Sequence, residues 1–285
     1  MNKEELLENY SKRLGSKGKT RNLYLKYVTD FLEYSDGNFD RETVEKYLEH
    51  LRKQHKYSEG SISFIFGILR TLFNRNSIEW PFARGDAPQI HENKVQAPAL
   101  HPKTIIKMIQ AVKEKGGLEE KAFLSLSTTY GLRKVEMKEL TQSDVRIKDR
   151  TIHIATAKHG RERTHIIPGE IVPYLKEYNF DTRVSDFGLF TLWYQIEYLI
   201  GLNHIDQVGW HSVRRTVNTL LRKKLSDITV KSFMRWKQRT SSDMSFRYSA
   251  IKFVGEEEET TEVVGEALDV DSEIFKVHPF IEYWR

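Results

Sequence analysis

A chain of 285 residues with 45 basic side chains, 40 acidic ones and no cysteine is long enough to bury two cores, and it has neither a disulfide framework nor thiolate metal ligands. No apolar run reaches the roughly 20 residues of a membrane helix, and the first residues lack the basic and apolar regions of a signal peptide, so a soluble, cytoplasmic protein is expected, with no membrane partner. Charge is divided along the chain: residues 255–285 hold ten acidic and two basic side chains (−8), and residues 1–254 hold 43 basic and 30 acidic (+13). A cationic body suits a polyanion such as DNA, although an ordinary lysine-rich surface has the same composition.

Residues 1–84 read as a small helical domain. Apolar residues recur at helical spacing in Tyr24, Tyr27, Val28, Phe31 and Leu32, in Val44, Tyr47, Leu48 and Leu51, and in Ile62, Ile65, Phe66, Leu69 and Phe73. Turn and capping residues separate these stripes at 35–38 and 57–60, with Asp40 placed to cap the second of the three helices. The polar faces carry Lys17, Lys19, Arg21, Lys26, Arg70 and Arg75, of which Lys17, Lys19, Arg21 and Arg70 are candidates to rest on DNA phosphates. Gly18-Lys19-Thr20 looks like the end of a phosphate-binding loop, but Arg13 stands where that motif needs its first glycine and no strand precedes it, so nucleotide binding is excluded there.

Residues 85–100 have linker composition, and helical periodicity resumes after Pro102 with Ile105, Ile106, Ile109 and Val112 on one face, opening a second domain over 101–254. Within it, Gly131-Leu132-Arg133 starts a helix that places Glu136 three positions on. Thr151 to Ala155 and Arg163 to Ile167 alternate as two strands of a hairpin, with Lys158, His159 and Arg161 near its tip. Downstream, His211 and Arg214 share a helix face, Arg215 follows, and Trp236 precedes Tyr248 across a polar stretch. The hairpin histidines His153, His159 and His165 are explained by strand alternation and turn placement. No carboxylate spacing beside them argues for a metal, although His159 could touch DNA.

Each of these motifs is common alone. In this order, the arginine at the helix start, the hairpin lysine, the H-x-x-R helix, the tryptophan and the tyrosine resemble the tyrosine recombinase (phage integrase) superfamily over residues 10–250. The resemblance implies a mainly α fold with a small β-hairpin or sheet (α+β): an N-terminal helical core-binding domain, then a catalytic domain. It implies a site-specific recombinase acting on double-stranded DNA through a 3′-phosphotyrosine, without a metal or nucleotide cofactor. Arg133 and Arg214 would clamp the phosphate, Lys158 would protonate the leaving oxygen, and His211 would take the proton of the nucleophile Tyr248. Trp236 would hold a phosphate oxygen or pack on the histidine, and Glu136 would support the site. The expected assembly is a homotetramer on two DNA sites, with accessory proteins possible. Integration or excision of a mobile or viral element is the expected setting, with chromosome-dimer resolution next. A type IB topoisomerase shares the chemistry, and an inactive DNA-binding regulator is the alternative outside enzymes.

Two departures from the family pattern matter. The 12 positions from Trp236 to Tyr248 exceed the gap in many relatives, which would let one subunit lend its tyrosine to a neighbour. Arg235 stands where relatives often have glycine, which puts the local alignment in question. In the tail over 255–285, Leu268, Val270, Ile274, Phe275, Phe280 and Ile281 would anchor on an adjacent protomer, with a self-packing or disordered acidic tail as the alternative.

Overall fold

The computed structural model describes residues 2–15, 18–54, 57–88, 98–155, 161–182, 184–236 and 263–285. Contacts divide the chain into two compact units, Met1–Val95 and Gln96–Arg285.

The first unit is built of helices α1 (Lys3–Lys12), α2 (Gly18–Ser35), α3 (Arg41–Lys53) and α4 (Glu59–Arg75). Each stripe read from the sequence is core: Val28, Phe31, Val44, Ile62, Ile65, Leu69 and Phe73 have no exposed surface. Helix α1 escaped the periodicity reading because only Leu6 and Tyr10 of its ten residues are buried, too few for a stripe. Short polar side chains start α1, α3 and α4, as the free amides of a first turn require: Asn2 accepts from Glu4 N, Asp40 from Thr43 N at 2.7 Å and Ser58 from Ser61 N at 3.2 Å. Trp80 continues the core beyond α4 by meeting Phe66 and Phe73 edge-on at 5.0 and 4.9 Å.

The second unit forms around α6 (Leu118–Tyr130), whose residues from Ala122 to Tyr130 are all buried. Within this buried stretch, Ser125 and Thr128 donate back to the carbonyls of Ala122 and Leu124. Around it pack α5 (Pro102–Lys115), α7 (Lys134–Glu139), α8 (Val172–Lys176), α9 (Asp186–Leu199), α10 (Trp210–Arg222), α11 (Asp227–Phe233) and α12 (Val263–Val277). A three-stranded antiparallel sheet holds β1 (Val145–Arg146), β2 (Thr151–Ile154) and β3 (Arg163–Ile166) in sequence order, with Thr151 opposite Ile166 and Ile154 opposite Arg163. The hairpin of the sequence reading is β2–β3; β1, two residues long, gave no alternation to detect. Ile152, Ile154 and His165 point into the core. The architecture is the expected one, mainly helical with a small sheet.

The chain's last residues complete this core. Ile274, Phe280 and Trp284 are buried with it, and the Trp284 indole donates to Thr128 Oγ1 on the central helix at 3.0 Å. The acidic tail, as far as it is described, therefore packs on its own chain. Among the described residues, no helix is long and apolar enough to cross a membrane.

Candidate active site

Gly131 ends α6 in the left-handed region at φ +56°, and a Cβ there would come within 2.9 Å of Met234 Cε, so both backbone and space call for glycine. Leu132 then plugs the core with no exposed surface, and Arg133 emerges as the N-cap of α7. One turn on, Glu136 reaches back: its Oε2 accepts from the Arg133 amide at 2.8 Å, and its Oε1 pairs with Arg133 Nη1. The Glu136 side chain is fully buried and that of Arg133 is 22% exposed, so the carboxylate anchors a guanidinium that still faces solvent.

Arg214 comes to the same place from α10. Its Nη1 donates to the Gly131 carbonyl and its Nη2 to that of Met234 at 2.8 Å, and it lies 3.9 Å from Glu136. Trp236 is half-buried, with the guanidinium carbons of Arg214 and Arg222 at 5.9 and 5.2 Å from its ring. His211 lies one turn before Arg214 on α10 and is exposed.

Arg235 is the residue whose part in the site the sequence did not convey. It adopts φ +58°, a left-handed backbone that costs a non-glycine residue roughly 1–3 kcal/mol, yet it is only 1% exposed. Its Nη2 donates to Glu136 Oε2 at 3.0 Å and its Nη1 meets His165 Nε2 at 3.1 Å. On the far side of that imidazole, Nδ1 lies 3.0 Å from Asp271 Oδ2 of α12, which also accepts the Ile166 amide, while Asp271 Oδ1 accepts from Arg163 Nη2. His165, whose inward placement follows from strand alternation, thus belongs to a buried polar line.

Three guanidiniums, from Arg133, Arg214 and Arg235, therefore surround one carboxylate. Burial resists ionisation of Glu136, but Arg235, the Arg133 amide, Arg214 and Arg133 together outweigh it and hold the carboxyl below its usual range. Burial first, then Arg235 and Arg133, pull the Arg214 pKa down; guanidinium basicity is high enough that it stays charged at neutral pH. The excess of positive charge, part of it reaching solvent, favours an anion.

Lys158, His159, Tyr248 and Lys17 lie outside the described residues, and of Lys19 only the backbone, in α2, is described. Arg21 is half-buried and donates to Ser11 Oγ at 2.5 Å and to the Leu14 carbonyl, tying α2 to α1. Arg70 is exposed on α4, Arg161 is exposed before β3 with its amide donating to the Arg235 carbonyl at 3.2 Å, and Arg215 is half-buried on α10. Among the described residues no cluster of His, Asp and Glu could hold a metal.

The model of the phage integrase family matches residues 98–250, more than half of the chain, over the segment that carries Arg133, Glu136, Arg214 and Trp236. The chain belongs to the phage integrase family. One relative within reach is the tyrosine recombinase XerA of Pyrococcus furiosus, 25% identical over 179 residues, which cover 62% of this chain and 61% of that protein. The match thus spans about three fifths of the relative's length. Among solved structures, a lambda integrase dimer bound to a COC′ core site superposes with a TM-score of 0.65 at 18% identity, over 91% of this chain and 99% of that one. A lambda integrase tetramer bound to a Holliday junction gives 0.64 at 16%, over 91% and 80%. At these identities the likeness is one of fold: this chain has the integrase architecture.

Proposed function

We propose that this member of the phage integrase family is a site-specific recombinase that cuts and rejoins double-stranded DNA through a 3′-phosphotyrosine. The observation that carries the reading is the convergence of Arg133 and Arg214 on Glu136 beside Trp236, in a fold shared with integrases bound to DNA. Attack of the Tyr248 oxygen on a phosphodiester builds negative charge on the non-bridging oxygens. Guanidiniums match those oxygens in geometry and charge, so Arg133 and Arg214 stabilise the five-coordinate phosphorus. A phenol with a pKa near 10 must lose its proton to attack, and His211 accepts it. The phosphorus–O5′ bond breaks as the phosphorus–O(Tyr248) bond forms, and Lys158 protonates the departing 5′-hydroxyl. Rejoining runs the same steps backwards from a second 5′-hydroxyl, drawing on the phosphotyrosine bond. The lambda integrase tetramer on its junction supports an assembly of four copies on two DNA sites.

Covalent capture tests this reading. Incubating the protein with sheared DNA from its source, denaturing, and sequencing what remains attached should recover an enriched site, which disappears with Tyr248→Phe. Equal recovery with both proteins, or tight binding with no adduct, would instead identify an inactive DNA-binding regulator.

A further inference from the structure

Arg235 combines a backbone that suits glycine with a long charged side chain that is nonetheless fully enclosed, a pairing that local conformational preference does not explain. Building on the recombinase reading above, we propose that Arg235 is a positioning residue: its guanidinium bridges Glu136 and His165, fixing the carboxylate that orients Arg133 and linking it through Asp271 to α12.

The bridge is directional. A guanidinium only donates, so His165 Nε2, 3.1 Å from Arg235 Nη1, must accept; Nδ1 then carries the ring proton and donates to Asp271. The imidazole is neutral with one tautomer selected, and donors alternate with acceptors from Glu136 through Arg235 and His165 to Asp271, where Arg163 adds a further donor. At the other end the bridge divides the work of Glu136: Oε1 holds Arg133, and Oε2 is kept by the Arg133 amide and Arg235. Arg214 stands 3.9 Å from that same Oε2. Without Arg235 the carboxylate is free to turn toward Arg214 and neutralise a group the phosphate needs. The loss then falls on the bond-breaking step and not on DNA affinity. The Arg235 carbonyl also accepts the Arg161 amide, so the same residue seats the strand that returns from the hairpin.

The test compares wild type with Arg235→Met, which keeps bulk, Arg235→Gly, which suits the backbone, Glu136→Gln and the Arg235→Met/Glu136→Gln double variant. The probe is a duplex of the captured site, nicked so that the adduct accumulates. Both Arg235 variants should bind this duplex within about twofold of wild type and form adduct at least about tenfold more slowly, and the double variant should be no slower than the slower single one. An Arg235→Met protein as fast as wild type, an Arg235→Gly protein faster than wild type, or rate losses that multiply would overturn the proposal. If wild type itself forms no Tyr248-dependent adduct, the recombinase reading fails, and the melting midpoints of the same proteins decide the bridge. A double variant melting no lower than the lower single one supports action through Glu136; additive losses overturn it.

Discussion

Arg133 and Arg214 carry like charges into one site, yet the fold uses them differently. Arg133 keeps part of its guanidinium in solvent and relies on Glu136 for direction, so Arg133→Ala should lower adduct formation about 100- to 1,000-fold, by analogy with loss of one oxyanion donor, while DNA affinity persists. Rate and affinity measured on one duplex check this. Arg214 also bonds two carbonyls that hold the end of α6 to the turn after α11, so Arg214→Ala should lower the melting midpoint as well as the rate. Glu136→Gln removes the counter-charge of three buried or half-buried guanidiniums; breaking such a network by removing one partner costs about 3–5 kcal/mol. Denaturant unfolding should show a loss of that order, and an unchanged midpoint would mean the arginines tolerate one another without their carboxylate.

The short path from α6 to α7 is where local chemistry and the site meet. Gly131 leaves the helix in a left-handed conformation, gives its carbonyl to Arg214 and leaves room for Met234. Gly131→Ala puts a methyl within 2.9 Å of that methionine on a backbone that L side chains avoid, at a cost of roughly 1–3 kcal/mol. The displaced carbonyl should also slow adduct formation, which a Gly15→Ala control, with no atom near its added Cβ, should not do. The β2–β3 hairpin illustrates the reverse dependence. Its alternation places His165 inward, but the acceptor that makes a buried imidazole tolerable is Asp271, more than a hundred residues later on α12.

Across the whole second unit, burial of two histidines makes the fold sensitive to acid. Burial pushes the His165 pKa from 6.5 down to about 4, against the opposing pull of Asp271, and that of His278 down to about 3. In the unfolded chain both titrate near 6.5, so between that pH and their folded values the unfolded state binds more protons, and stability falls as pH falls. From His165 alone the loss is about 3 kcal/mol between pH 6.5 and 4. Glu136, with its folded pKa depressed, adds a loss only below about 4.5, as pH falls toward its folded value. Melting midpoints measured at pH 7, 6 and 5 should fall progressively, and His165→Gln should flatten that decline. A midpoint flat down to pH 5 in wild type would show that the imidazoles titrate normally. The tail belongs to the same cooperative unit: because Phe280 and Trp284 are core, ending the chain at residue 262 should destabilise the unit even though the segment lost is acidic and the body is basic.

The sequence by itself determined the helical core stripes, the hairpin, the Gly-Leu-Arg turn and the order of motifs that resembled the integrase family. Each depends on spacing within a few residues or on side-chain types whose roles are set by their chemistry. Only the tertiary structure brought Arg235, His165 and Asp271 into one buried line, buried Ile274, Phe280 and Trp284 of the tail in the core of the second unit, and bonded Arg21 to Ser11 of α1. Arg235 read as a departure from the motif because relatives often have glycine at that position. The partners that offset that strain lie 70 and 99 positions away, where no local periodicity can record them.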